Sequence, residues 1–360
     1  MKLALVTDTH FGARSDSPQF NEFFFKFWEQ TFFPYLKEQN IKTVVHLGDV
    51  MDRRKFINHN IADQFQKRFM KRLYEEGIDT HIIIGNHDCF YKNTNRVNSI
   101  QNLCSTYDGQ NEPWIYVDPT VVEFAGVPLL FLPWICDENR EQSLKLIREA
   151  PVSLVMGHLE IAGFEMDKGM MCHDGMSADL FDRFDMVMSG HFHHRSTHGP
   201  IHYLGNTYEI TWADYDDTRG FHIFDTDTRN LTFVPNPYKM FYKLHYDDTV
   251  QDFEFWANAV DYSRYKDTCV KVVVKQKTNP YLFDSVLDKL YASSPLDVSI
   301  VENYLPISES FEDAVIDQAE DTMTILRHYI DGLKMDVDTK QLKDFMSQLY
   351  QDALAAERSL

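Results

Sequence analysis

No stretch of this 360-residue sequence runs apolar for 18 residues, the length a helix needs to cross a bilayer. Its opening, MKLALVTDTH, turns polar too early for a secretory signal, so a soluble, cytoplasmic protein with no membrane role is expected. Paired cysteines are missing as well. Cys89, Cys104, Cys136, Cys172 and Cys269 are scattered, odd in number and never spaced as CxxC, a pattern of reduced thiols rather than disulfide staples. Basic residues are scarce: 35 Lys+Arg face 55 Asp+Glu, and the formal charge of −20 argues against indiscriminate attraction to nucleic acid. The deficit is uneven, since residues 302–360 alone hold 5 Lys+Arg against 13 Asp+Glu. A metal centre would add positive charge locally, where a phosphate has to approach.

Material for a core is abundant, at 44% hydrophobic residues with 27 Phe and 18 Tyr. From Met1 to Pro237, short β-branched runs alternate with amphipathic helices. Strands are expected at Leu3–Thr7, Thr43–Leu47, His81–Ile84, Leu129–Leu132, Ser153–Met156, Met186–Ser189, His202–Leu204 and Gly220–Phe224. Helices are expected at Pro18–Gln39, Ile61–Glu76 and Glu138–Glu149; Ser17 can cap the first, and Pro18 suits its first turn. The alternation predicts an α/β (α+β) core of two sheets with helices outside. A smaller strand, helix, strand, helix, strand pattern follows the Pro235-Asn236-Pro237 hinge, at Tyr242–Tyr246, Val250–Asn258, Thr268–Val274, Pro280–Ala292 and Asp297–Val301. The expected division is therefore 1–237 for the main domain and 238–301 for a small α/β domain. A linker and helix would fill 302–338, and a terminal helix 339–360.

Two apolar faces invite a partner. Phe20–Phe33 (FNEFFFKFWEQTFF) is apolar around most of its circumference, which suits a buried helix or a subunit interface, and Ile61, Phe65, Phe69 and Leu73 form a stripe on the next long helix. A homodimer is expected on that ground. After Thr339, Leu342, Phe345, Met346, Leu349, Tyr350 and Ala353 recur at helical spacing. This helix either packs on its own domain or docks a partner, the latter favoured by the linker before it.

Chemistry is concentrated where strands end. Successive apolar runs lead into Asp8-Thr9-His10, Gly48-Asp49-Val50-Met51-Asp52, Gly85-Asn86-His87-Asp88, Gly157-His158 and Gly190-His191-Phe192-His193. Glycine lets the chain turn sharply there, and open α/β sheets build their sites at the carboxyl ends of strands. Residues two apart, as in Asp8/His10 and His191/His193, reach one site from an extended segment. Mixed Asp, Asn and His ligands suit Mn²⁺, Fe²⁺ or Zn²⁺ better than Ca²⁺ or Mg²⁺. One metal is assigned to Asp8, His10, Asp49 and His193, and the other to Asp49, Asn86, His158 and His191, with Asp49 as the bridge. Two such ions about 4 Å apart bind phosphate oxygens and generate hydroxide at neutral pH. His87 is left to protonate the leaving alkoxide or stabilise charge, and Asp88 is placed to orient it.

These five motifs resemble those of the calcineurin-like metallophosphoesterase superfamily. Within it the chain looks most like the SbcD/Mre-type nucleases of double-strand-break repair, in their short phage form. Ile201–Phe224 is similar to the segment that follows their last motif, with Arg219-Gly220 in place of lysine-glycine. The resemblance implies a two-sheet sandwich, a capping domain at 238–301, two Mn²⁺ (Mg²⁺, Fe²⁺ or Zn²⁺ as substitutes) and a host-cytoplasmic location if phage-encoded. It further implies 3′–5′ exonuclease action on duplex DNA, endonuclease action on single strands, and an SMC-like ABC ATPase partner of the SbcC type gripping the terminal helix. Cellular members carry a histidine where Asp52 stands, so its nuclease role passes to Asp52 or is absent.

Arg53, Arg54 and Lys55 beside the Asp49 motif, with Lys92 and Arg96 after His87, are the candidate DNA phosphate contacts. A phosphomonoesterase is the second reading, since Gly48-Asp49-Val50-Met51-Asp52-Arg53 is similar to the GDxVDRG motif of serine/threonine phosphatases. Arg54 replaces its last glycine, however, and Asp88 stands where those enzymes have glutamate. A silent scaffold for an ATPase is the third.

Overall fold

The computed structural model describes residues 1–104, 112–167 and 170–302. Residues Met1–Ile210 and Asp214–Val301 make one compact unit, built on two six-stranded sheets and one three-stranded sheet. The first sheet runs, in spatial order, Leu231–Pro235, Gly220–Asp225, Lys2–Val6, Thr43–His46, Asp79–Ile83 and Trp114–Tyr116. Its last four strands are mutually parallel, and Gly220–Asp225 pairs antiparallel with Lys2–Val6. The second sheet runs Ser196–His198, Ile201–Tyr203, Met186–Gly190, Leu154–His158, Val127–Leu132 and Thr120–Phe124, parallel from Ile201–Tyr203 through Val127–Leu132.

The expected two-sheet α/β fold is therefore the one observed. Parallel strands buried on both faces need continuous apolar runs, and the sequences ALV, TVVH, HII and LLFL supply them. Leu3, Leu5, Val45, Leu47 and Ile83 join Leu129, Phe131, Leu154, Met156 and Met188 in one buried cluster. Because the two parallel sets are held by this shared core, the carboxyl ends of both sheets are fixed relative to each other.

The first long helix is continuous over Pro18–Phe27, a wider π turn at Trp28–Phe32, and Phe33–Glu38; Ser17 Oγ accepts from Phe20 N–H (3.4 Å). The second runs His59–Gln64, Phe65–Met70 and Lys71–Glu75. Their aromatic faces meet around Phe11, whose ring centroid lies 5.7 Å from Phe25, 5.2 Å from Phe65 and 5.5 Å from Phe69. Such pairs contribute about 0.5–1.5 kcal/mol each beyond the area they bury. Phe24, Phe25, Phe27, Trp28, Phe32, Phe33, Ile61, Phe65, Phe69 and Leu73 are all buried within the single chain. That removes the ground for the homodimer expectation: the faces that carried it already cover each other.

The third sheet, Phe241–Asp247, Cys269–Gln276 and Asp297–Glu302, packs its own core against the helix Pro280–Ala292, which Asn279 caps through Leu282 N–H (3.3 Å). Glu209 ties it to the principal sheets by accepting Met240 N–H (2.6 Å) and Phe241 N–H (2.9 Å). The helix expected over Val250–Asn258 forms over 253–259. Asp252 Oδ1 caps its start by accepting Phe255 N–H (2.9 Å), and the turn widens to a π segment at Phe255–Ala259. Residues 303–360, which include the expected docking positions Leu342, Phe345, Met346, Leu349 and Tyr350, lie outside the described residues. No helix among the described residues is long and apolar enough to cross a membrane.

Candidate metal centre

Each motif sits where its strand ends. Asp8 and His10 follow Lys2–Val6, Asp49 follows Thr43–His46, and Asn86 and His87 follow Asp79–Ile83, all from the first sheet. The second sheet supplies His158 at the end of Leu154–His158, and His191 and His193 after Met186–Gly190. Asp8, His10 and His193 converge in one group of potential ligand atoms, and Asp49, His158 and His191 in another. Asp49 Oδ2 lies 3.3 Å from His158 Nε2 and 3.9 Å from His10 Nε2, between the two groups. Asn86 Oδ1 stands 2.9 Å from His158 Nε2, and so belongs beside the second.

The loops hold unusual conformations to do this. Asp8 (φ 50°), His10 (φ 42°), Asp49 (φ 54°) and His191 (φ 87°) all lie in the left-handed region, which costs an L residue about 1–2 kcal/mol. Hydrogen bonds between the loops overdetermine them: Asp8 N–H donates to Gly48 O (3.0 Å), His10 N–H to Asp49 O (3.1 Å), and His191 N–H to both Asp8 oxygens (3.1 Å). Two glycines are required by close approach. A Cβ on Gly85 would stand 2.2 Å from Asp49 N, and one on Gly190 would stand 1.9 Å from Thr7 Oγ1.

His46, buried in the second strand, links the loops in a way the sequence reading missed. Its Nδ1 accepts Gly48 N–H (3.2 Å), so Nε2 carries the proton and donates to Thr9 Oγ1 (3.0 Å), which donates to Val50 O (3.1 Å). Burial and the neighbouring His158 push its pKa down to about 3, in keeping with a neutral ring. The signal was a histidine within an otherwise apolar strand.

His87 and Asp88 divide the work differently from expectation. Asp88 Oδ1 accepts Val50 N–H (2.9 Å) and Met51 N–H (3.1 Å), and Oδ2 accepts Asp49 N–H (3.0 Å) and Gly85 N–H (2.9 Å). Asp88 therefore fixes the Asp49 loop. The partner that orients His87 is the Asp52 carbonyl, 2.6 Å from Nδ1, which leaves proton exchange to Nε2. The His87 ring meets His10 edge-on at 4.9 Å, and Asp52 Oδ1 lies 3.6 Å from His10 Nδ1. Asp52 thus stands behind both histidines.

The donor set fits divalent cations. Nε2 of His10 and Nε2 of His193 face each other at 3.1 Å, while the buried Nδ1 atoms of His10 and His191 have no hydrogen-bond partner among the described residues. Burial alone would raise the Asp49 pKa, but His158 and His87 outweigh it and hold the carboxyl well below its usual range. Burial likewise opposes charge on His158, yet Asp49 prevails and lifts it to about 9. A metal ion would take the place of these protons. His193 is held from behind by Arg219, which donates to its carbonyl and pairs with Asp214 (2.6 Å) and Asp217 (3.1 Å). Two further neighbours were not foreseen. Glu160 Oε1 is 3.9 Å from His191 Nε2, and the Trp134 ring is 5.1 Å from that of His191.

Of the five cations expected at phosphate, three are engaged within the chain. Arg53 pairs with Asp16 (2.8 Å), Arg54 donates to the carbonyls of Cys89 (3.0 Å) and Tyr91 (3.2 Å), and Arg96 pairs with Asp118 (2.8 Å) and Glu138 (3.2 Å). Lys55 and Lys92 are exposed.

Sandwich and site together define a phosphoesterase scaffold, and residues 1–195 match the family model for calcineurin-like phosphoesterases. The chain belongs to the calcineurin-like phosphoesterase family. It is 31% identical over 356 residues, 98% of its length and 99% of the relative's, to exonuclease subunit 1 of Enterobacteria phage T4. Two solved structures are similar at lower identity. A novel archaeal phosphodiesterase aligns at 16% identity and TM-score 0.33, over 65% of this chain and 99% of its own. A hypothetical protein from Thermus thermophilus aligns at 15% identity and TM-score 0.37, over 66% of this chain and 100% of its own.

Proposed function

We propose that this protein is a two-metal phosphodiesterase that hydrolyses DNA during recombination and double-strand-break repair. The observation that carries the reading is the pair of ligand groups meeting at Asp49, with His87 held 4.9 Å from the His10 ring by the Asp52 carbonyl. Likeness along nearly the whole chain to a phage exonuclease subunit supports DNA as the substrate.

In this reading Asp8, His10, Asp49 and His193 hold one cation, and Asp49, Asn86, His158 and His191 the other. Cations bound there, Mn²⁺ for this ligand set, would supply Lewis acidity and activate water at neutral pH. His87 Nε2 faces the scissile group and gives a proton to the leaving oxygen. Asp52 fixes the His87 ring through its carbonyl and backs His10 through its carboxylate. Lys55 and Lys92 are the remaining phosphate contacts; charge reversal at both should weaken DNA binding with metal content intact, and unchanged affinity would remove them. Residues 238–301 act as a capping domain, and residues 339–357 dock an SMC-like ATPase through the apolar spacing of their sequence. Deleting residues 339–360 should abolish that complex while the nuclease stays active, and persistent assembly would contradict the docking role.

The test is hydrolysis of labelled linear duplex DNA with Mn²⁺ by the wild type and His87→Ala. Cleavage lost in the variant at full metal content supports the reading. Turnover of a phosphomonoester without any DNA cleavage would favour a phosphatase.

A further inference from the structure

Beside the metal centre, on its His158 side, lies a pocket of about 150 Å³ walled by Trp134, Arg140, Glu160, Asp174 and Met176. Its walls are fixed by their backbones. Trp134 N–H donates to Ile84 O (2.8 Å), and Trp134 O accepts from Asn95 Nδ2 (2.8 Å) and Asn139 Nδ2 (3.0 Å). Opposite, Ala162 N–H donates to Met176 O (2.9 Å) and Met176 N–H to Glu160 O (2.8 Å). Gly175 packs so closely there that a Cβ would stand 2.6 Å from Ala162 N. Trp134 is thus fixed at its backbone beside the second ligand group, with its ring 5.1 Å from that of His191, and Met176 adds an adaptable thioether to the same pocket. Arg140 and Asp174 are both exposed at this pocket, and no hydrogen bond or ion pair among the described residues engages either side chain.

We infer that this pocket receives the nucleobase next to the scissile phosphate, stacked on Trp134, with Asp174 reading its edge and Arg140 reaching an adjacent phosphate. The inference rests on the DNA-hydrolysis reading and deepens it. Every base offers a face to an aromatic plate, so stacking tolerates sequence, whereas a carboxylate accepts from N–H groups on the base edge and is repelled by carbonyl oxygens there. Cytosine, adenine and guanine present an exocyclic amino group, whereas thymine offers only N3–H between two carbonyl oxygens, which makes it the poorest partner for Asp174. A base lodged here is out of the duplex stack, which confines the pocket to ends and single strands.

The experiment compares labelled DNAs whose nucleotides flanking the first-cleaved bond carry either a base or an abasic tetrahydrofuran residue. Wild type, Trp134→Ala and Trp134→Phe are each assayed for cleavage and for Mn²⁺ binding. Wild type should favour the base-bearing DNA by roughly ten-fold in kcat/KM, the worth of one base–aromatic stack. Trp134→Ala should lose that preference by slowing on the base-bearing DNA alone, Trp134→Phe should regain most of it, and Mn²⁺ affinity should stay the same in both. Asp174→Asn should erase discrimination between terminal cytosine and thymine; unchanged discrimination removes that contact. Equal wild-type rates on the two DNAs, or a Trp134→Ala variant slowed equally on both, overturn the pocket and leave the nuclease reading standing. No wild-type cleavage of either DNA overturns that reading and the pocket with it.

Discussion

Arg219 offers the sharpest quantitative test of how the site is supported. Its side chain is 3% exposed, pairs with Asp214 and Asp217 and donates to the carbonyl of His193, a candidate ligand. Asp214, fully buried, also accepts Ile210 N–H at 2.7 Å. Arg219→Ala therefore strands a buried carboxylate and frees the His193 backbone. Breaking a buried pair by removing one partner costs about 3–5 kcal/mol, a large share of the roughly 5–15 kcal/mol that holds a domain folded. Lysine keeps the charge but lacks the planar fork, so it reaches one carboxylate or the carbonyl and not all three. Arg219→Lys should cost about 1–2 kcal/mol, the value of one or two charged hydrogen bonds. Urea unfolding of the metal-free proteins measures both, and Mn²⁺ titration should reveal weaker binding in each variant. A loss below about 1 kcal/mol in Arg219→Ala, with Mn²⁺ affinity unchanged, would refute the reasoning.

Glu209 makes a pH prediction. Burial, only partly offset by the N–H groups of Phe241 and Met240, lifts its carboxyl from 4.5 to about 7, so the folded chain keeps a proton that the unfolded chain releases. Its contribution is full below pH 4.5 and lost as pH rises through 7, a change of about 3 kcal/mol. The stability of wild type relative to Glu209→Gln should fall by that amount from pH 4.5 to 7.5 in urea titrations, and a pH-independent difference would contradict it. Asp88→Asn turns an acceptor of four N–H groups into one with a single acceptor oxygen and a competing donor. A loss of about 2–4 kcal/mol and weaker Mn²⁺ binding should follow. Full stability with a reduced kcat would instead restore Asp88 to the task of orienting His87.

The metal-ligand candidates were legible because each signal is local: an apolar run, then Asp, Asn or His, with a glycine between in four of the five motifs. The same strand endings that make the pattern readable carry the residues to one edge of the sandwich. Support for those ligands was not legible, because His46 and Glu160 act across the fold and have no spacing of their own. The role of Asp88 was misassigned for a related reason. Sequence adjacency suggested Asp88 for His87, whereas the tight turn points its carboxylate back into the Asp49 loop. Arg53, Arg54 and Arg96 lie near the motifs as expected, but nearby carboxylates and carbonyls engage them. Short edge strands such as Trp114–Tyr116 and Ser196–His198 have too few residues for any period to appear.

The central claim is that two cations share Asp49, and calorimetric titration of the metal-free chain with Mn²⁺ tests it most directly. Wild type should bind two ions per chain, His193→Ala should lose one, and Asp49→Asn should weaken both. One ion in the wild type, or an Asp49→Asn variant that binds two with unchanged affinity, would contradict a shared dinuclear centre.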